Sequence, residues 1–169
     1  MLNLQNILTG RINKASGDAF ESFLEIHHSY ALRLGILAHI EHNQPEAKMI
    51  HGRLIYTRQG VADYTGTLMN KVGSTLAVEA KSTSGKRLAK SVIQPRQASH
   101  LTAVAKAGGL SLLLVEFRHG LGTGDRYAIP WLEVPWKVAR SAESVVSEDI
   151  ISWQIDGSCY LTRFIPRLA

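Results

Sequence analysis

Residues 110–117, LSLLLVEF, form an almost unbroken apolar run. A strand with one face in water alternates apolar and polar residues, so a run without that alternation needs apolar cover on both faces. The chain must therefore supply layers above and below a sheet, and the flanking sequence offers them. Ser16 to Asp18 has N-cap chemistry, and Phe20, Phe23, Leu24, Ile26, Tyr30, Ala31 and Leu34 follow at helical spacing up to a stop at Gly35. Pro95 suits the first turn of a second helix, which runs through RQASHLTAVAKA to the pair Gly108-Gly109.

Between these helices the pattern is extended. KMIHGRLIYTR reads as one or two strands around Gly52, with a turn at Gln59-Gly60. Strands are expected over Val61–Met69 and Thr75–Lys81, joined by the short Asn70–Ser74 connection, and RYAIPW is a further short strand. Partial helix is expected within Trp131–Ser144, and ISWQIDGSCYLTRF reads as a hairpin turning at Asp156-Gly157. The order helix, strands, helix, strand, strand predicts an α/β fold around a mixed sheet, in one domain of 169 residues whose first 16 form a mobile basic arm. Cys159 is the sole cysteine, so an internal disulfide and a Cys-rich zinc site are both excluded. No apolar run is long enough to span a bilayer and the first residues lack signal-peptide character, so the reading is no membrane partner and a cytoplasmic setting.

One strand carries a conspicuous pair of charges. Alternation puts Glu79 and Lys81 on one face at the end of an apolar run, with Val78 and Ala80 on the other. Such a pair is either an exposed ion pair or the floor of a site. In a hairpin turning near residues 70–74, residues whose numbers add to about 142–144 face each other, and Asp63 with Glu79 adds to 142. Two carboxylates forced together repel unless a cation lies between them. Oxygen donors of this hardness suit Mg²⁺ or Mn²⁺, with the Ala80 carbonyl as a further ligand, and Lys81 is placed to stabilise charge developing on phosphorus. The balance of 19 Lys and Arg against 14 Asp and Glu, a net charge of +5, suits a polyanionic partner. Arg11, Lys14, Lys71, Lys86, Arg87, Lys90 and Arg96 are the candidate contacts, four of them crowded just after Lys81. Together these features favour a metal-dependent site acting on a phosphate backbone.

Asp63 followed by Glu79-Ala80-Lys81 resembles the motif of the PD-(D/E)xK nuclease superfamily. Longer strings narrow the likeness. Gly17-Asp18-Ala19-Phe20-Glu21 resembles the G-x-x-x-E of the first helix in Holliday-junction resolvases of the archaeal and RecU types. Val61-Ala62-Asp63-Tyr64-Thr65-Gly66 resembles V-D-Y-x-G of the RecU type, and Glu79-Ala80-Lys81-Ser82-Thr83 resembles its E-A-K-x-T. Gln97 matches a glutamine that this type carries before a long helix. The departures are Ser22, where the archaeal type often has Arg, the Ala between Val61 and Asp63, and a turn at Asn70–Ser74 too short to build a protruding element.

The resemblance implies a restriction-endonuclease-like mixed sheet flanked by helices, in a compact phage-encoded resolvase that cuts four-way DNA junctions symmetrically as a homodimer. It implies Mg²⁺, with Mn²⁺ as substitute, held by Asp63 and Glu79; Lys81 helping to activate water; Glu21 completing the acidic cluster; and Gln97 positioning the scissile phosphate. The products would be 5′-phosphate and 3′-hydroxyl ends. The alternatives are another nuclease of the superfamily that cuts duplexes, or a non-catalytic DNA-binding recombination protein. Elsewhere the seven histidines read as satisfied or surface residues, His100 as a weak candidate for phosphate contact, Cys159 as a small buried residue, and Trp131, Trp136 and Trp153 as core or interface.

Overall fold

The apolar run 110–117 is strand, and Ser111 to Phe117 are buried without a break, as cover on both faces requires. The computed structural model describes residues 4–44, 46–50, 53–58, 60–69, 74–120, 123–139 and 142–164. In chain order the elements are α1 (Leu4–Arg33), β1 (Leu37–His42), β2 (Glu46–Ile50), β3 (Arg53–Arg58), β4 (Tyr64–Leu68), β5 (Ser74–Thr83), β6 (Arg87–Ala89), α2 (Pro95–Lys106), β7 (Leu110–Gly120), β8 (Thr123–Pro130), β9 (Lys137–Ala139) and β10 (Ala142–Val146). Five strands form the main sheet in the order β1-β4-β5-β7-β8. Only β5 and β7 run parallel, joined through β6 and α2; the other neighbours are antiparallel. This is the expected mixed sheet flanked by helices.

Each helix covers one face. Phe20, Leu24 and Ala31 of α1 pack with Tyr64, Leu76, Val78, Leu112, Leu114 and Ala128. On the opposite face, Leu101 and Val104 of α2 pack with Ala77, Leu113, Val115 and Ile129, the residues of alternate parity on the same strands. β2 and β3 pair as a hairpin apart from this sheet, and β6, β10 and β9 form a third, small sheet.

Three expectations are corrected. α1 starts at Leu4, so Ser16–Asp18 lies inside the helix rather than at its start. N-cap residue types favour a helix start without forcing one, and the upstream Leu4, Gln5, Leu8, Arg11 and Lys14 are all good helix formers. Its buried stripe is Phe20, Leu24, His27, His28 and Ala31, whereas Ile26 is 67% and Tyr30 46% exposed. The C-terminal stop is as expected: Gly35 adopts φ +66°, and the Ile36 N–H reaches the Ala31 carbonyl while the Gly35 N–H reaches that of Leu32.

Among its described residues the Trp131–Ser144 stretch holds a single 3₁₀ turn, Trp131–Glu133, before β9 and β10. β9 and β10 pair with each other, and β10 is anchored in turn by β6, more than fifty residues upstream, a partner that no local pattern reveals. The expected hairpin at 151–164 is instead an irregular segment of 3₁₀ turns with one bridge from Gln154 to Tyr127. Ile150 is buried in the core on one face of the main sheet, and Cys159, Tyr160 and Leu161 in the core on the other. The bend falls at Gly157-Ser158, with Gly157 at φ +92°. The Asn70–Gly73 connection, with Lys71, lies outside the described residues.

Candidate active site

Hairpin pairing brings the charged residues together. Tyr64 faces Val78 and Thr65 faces Ala77, so every β4–β5 pair adds to the value that places Asp63 beside Glu79. Gly66, at the end of the V-A-D-Y-T-G string, has a local reason: a Cβ there would stand 2.5 Å from the His39 carbonyl oxygen of β1. Close approach of β1 and β4 carries His42, Asn43 and Gln44 alongside Asp63, and the Asn43 N–H donates to the Asp63 carbonyl at 2.8 Å.

Asp63 Oδ2 accepts the Ala80 N–H at 2.8 Å, which pins the carboxylate to the strand carrying Glu79. The Lys81 ammonium lies 3.5 Å from the same oxygen, donates to Glu79 Oε1, and reaches the Ala80 carbonyl at 3.2 Å. The three oxygens expected to serve a cation thus already gather around one positive charge. Glu79 is fully buried, and its second oxygen, Oε2, is buried with no hydrogen-bond partner. Burial, reinforced by the Asp63 charge, raises the Glu79 pKa to about 7; the ammonium of Lys81 opposes the rise without cancelling it.

A cleft of about 680 Å³ opens over this cluster, lined by Gly17, Phe20 and Glu21 from α1, by His42 to Gln44, and by Asp63, Tyr64, Ala80, Lys81 and Ser82. Glu21 is exposed and faces the same cleft as Asp63 and Lys81. Among the described residues no three of His, Cys, Asp and Glu stand close enough to hold a metal ion by themselves. The donor set is two carboxylates and a carbonyl, which fits a hard cation such as Mg²⁺ that keeps several waters and shares a substrate phosphate. An orphaned buried carboxylate oxygen is the atom such a cation would satisfy.

Gln97 is not in the cleft. It occupies the first turn of α2, where its side chain accepts the Gln94 N–H at 2.9 Å as half of a reciprocal cap. His100 lines a different recess, with Ser74, Thr75 and Gly109, toward the start of β5 and away from Lys81. His28 is a satisfied core residue: its Nε2 lies 2.6 Å from the Tyr160 hydroxyl, and burial lowers its pKa to about 4. Cys159 is buried, and Trp131 donates its indole N–H to Thr102 at 2.8 Å.

The basic residues divide. Lys86 is exposed in the bend after β5, Arg87 is exposed at the start of β6, and Arg96 is exposed at the start of α2, where it donates to Gln94 at 3.1 Å. Lys90 is engaged, 2.7 Å from Glu143 and over the Trp136 ring. Arg11 and Lys14 lie on the first half of α1, with side chains outside the described structure. Sequence reasoning missed Glu116 and Arg126. The carboxylate of Glu116 is buried beside the cleft, accepting from Ser82 at 2.8 Å and from Arg126 at 2.9 Å. The one available signal was a charged residue inside an otherwise apolar run.

No curated protein matches the chain. Among solved structures, the chain is similar to Archaeoglobus fulgidus Hjc, a Holliday junction resolvase from an archaeal hyperthermophile, at 11% identity and a TM-score of 0.44, over 83% of this chain and 99% of that one. The sequence model of the family described as Recombination protein U matches residues 23–147, a segment holding Asp63, Glu79, Lys81 and Gln97 but starting two residues after Glu21. That match spans well over half of the chain, and the protein belongs to the Recombination protein U family, a family of Holliday-junction resolvases.

Proposed function

We propose that this protein is a divalent-metal-dependent endonuclease that resolves four-way DNA junctions by paired, symmetric phosphodiester hydrolysis. The observation that carries the reading is the buried Glu79, with one oxygen on Lys81 and the other without a partner, next to Asp63 and Lys81, which line an open cleft. Burial of a carboxylate in that state costs stability that an apolar residue would not, so a ligand is the economical account. Asp63, Glu79 and the Ala80 carbonyl would hold Mg²⁺ or Mn²⁺, with Glu21 closing the cluster from α1. Such an ion, when bound, polarises a phosphate and lowers the pKa of water.

The chain's own groups do the rest. Asp63 is held by the Ala80 N–H, so its orientation does not depend on substrate. Lys81 has only to shift from Glu79 toward the cleft to donate to a phosphate oxygen, where charge accumulates as the bond to the leaving oxygen breaks. The leaving group is the 3′-oxygen, so the ends are 3′-hydroxyl and 5′-phosphate. Lys86, Arg87 and Arg96 would contact the backbone beside the scissile bond, with Arg11, Lys14, Lys71 and Lys90 as further candidate contacts. Gln97 would act by placing the first turn of α2 and the strand before it. Cutting two strands symmetrically requires two such sites related by a two-fold axis, hence a homodimer.

The test is cleavage of a labelled immobile four-way junction against a matched linear duplex, in Mg²⁺ and in EDTA. Paired nicks on the junction alone, abolished by EDTA, support the reading. Equal cutting of both substrates would leave a nuclease without junction selectivity. Junction binding with no cutting in Mg²⁺ or Mn²⁺ would replace it with a DNA-binding recombination protein.

A further inference from the structure

On the α1-facing side of the main sheet, the strands β5, β7 and β8 present successive cross-strand rows. Val78, Leu112 and Pro130 form one, and Ala80, Leu114 and Ala128 the next. The following row, at the end of the sheet nearest the cleft, is Ser82, Glu116 and Arg126. A face apolar in two rows becomes a charged network in the third. Its closure is complete: Arg126 donates through Nε and Nη2, each at 2.9 Å, to Glu116 Oε1, while the Ser82 hydroxyl donates to Oε2 at 2.8 Å. The Glu116 side chain is 2% exposed and that of Arg126 19%. Gly124 next to it leaves the room, since a Cβ there would lie 3.0 Å from Glu116 Cγ.

The row also grips α1. The Arg126 guanidinium lies 4.1 Å from the Phe23 ring centroid and 6.0 Å from that of Phe20. These two rings bracket Glu21 in the helix, and Phe20, Glu21 and Ser82 all line the cleft. A buried ion pair is a poor source of net stability, because apolar residues of similar volume serve as well or better. What it supplies is direction: charge-assisted hydrogen bonds and a stacked planar cation are satisfied in one arrangement, whereas an apolar contact tolerates sliding.

We propose that Ser82, Glu116 and Arg126 are positioning residues that seat α1, and with it Glu21, against the end of β5 that carries Glu79 and Lys81. This rests on the resolvase reading above. Among the described residues the three side chains bond to one another and not to Asp63, Glu79 or Lys81; the row acts by holding two parts of the cleft in register.

The experiment compares the full chain with the double variant Glu116→Leu/Arg126→Met and the milder Glu116→Gln, using thermal melting, junction binding in EDTA and single-turnover junction cleavage in Mg²⁺. The double variant is expected to melt at or above the parent's temperature and to bind the junction within about twofold, while its cleavage rate falls roughly 10- to 100-fold, the scale of a small misplacement of reacting groups. Amide exchange in residues 17–24 is expected to quicken in the same variant without loss of global stability. Glu116→Gln keeps the hydrogen bonds and loses the charge, and is expected to fall in between, which keeps the idea testable if the double variant does not fold. Cleavage within twofold of the parent in both variants overturns the positioning role and leaves the resolvase reading intact. Cleavage lost only in step with melting temperature and junction binding also overturns it, since a merely structural row behaves that way. A parent that cuts no junction at all removes both.

Discussion

Replacing Glu79 by Gln is expected to stabilise the metal-free protein at alkaline pH and to do nearly nothing at acid pH. In the folded chain burial and the neighbouring Asp63 raise the Glu79 carboxyl from an ordinary 4.5 to about 7. Between these values the native chain holds a proton that the unfolded chain has lost, so stability falls as pH climbs from about 4.5 to about 7 and stays low beyond. At about 1.4 kcal/mol per tenfold, the penalty above pH 7 is on the order of 3 kcal/mol, an upper figure because Lys81 loses a partner in the variant. His28, lowered by burial to about 4, titrates over an overlapping range in the opposite sense, and its contribution cancels when variant and parent are compared at each pH. The assay is urea denaturation of both proteins from pH 4.5 to 8.5 in EDTA. The variant's advantage should grow with pH and level off above 7; adding Mg²⁺ should then stabilise the parent and not the variant, because only the parent keeps the carboxylate proposed to hold it. An advantage that is flat with pH, or a variant less stable than its parent at pH 8, would refute the assignment of Glu79 as a buried, strained acid.

Asp63→Asn keeps an acceptor for the Ala80 N–H and removes the charge, so folding should persist while junction cleavage falls by about 10³-fold or more, read by single-turnover kinetics against unchanged melting. Arg87→Ala, at an exposed position, should weaken junction binding and lower the slope of log affinity against log salt by about 1, measured by titration across salt concentrations. Gly66→Ala would force a Cβ against backbone 2.5 Å away, and should cost about 1–3 kcal/mol in denaturant unfolding.

Much of this architecture was legible because the signals were local and periodic. The run at 110–117 demanded cover on both faces, and the two helices beside it supplied that cover. The β4–β5 hairpin was short enough for residue numbers alone to predict that Asp63 and Glu79 would meet, and the observed register is the one that brings them together. Charges on a short strand pair are readable in this way because alternation and a single turn leave little freedom.

Other parts were set by partners remote in sequence. β10 joins a sheet because β6 lies there to pair with it, β9 is held by β10 in turn, and the segment after Ile150 is irregular because its apolar residues enter cores built by other elements. Gln97 was chosen for its place before a helix, and the fold spends its side chain on the cap of that helix. Lys90 read as a candidate backbone contact, and the fold sets it beside Glu143. The charge of Glu116 was visible as an interruption in an apolar run, yet its meaning needed Arg126 from the next strand and Ser82 from the previous one. Composition, periodicity and one hairpin determined the class of fold and the meeting of Asp63, Glu79 and Lys81. Burial of Glu79, the cleft above it and the row beside it were decided only in three dimensions, because the dielectric around a charge and the partners it finds depend on chain segments that the local sequence does not contain.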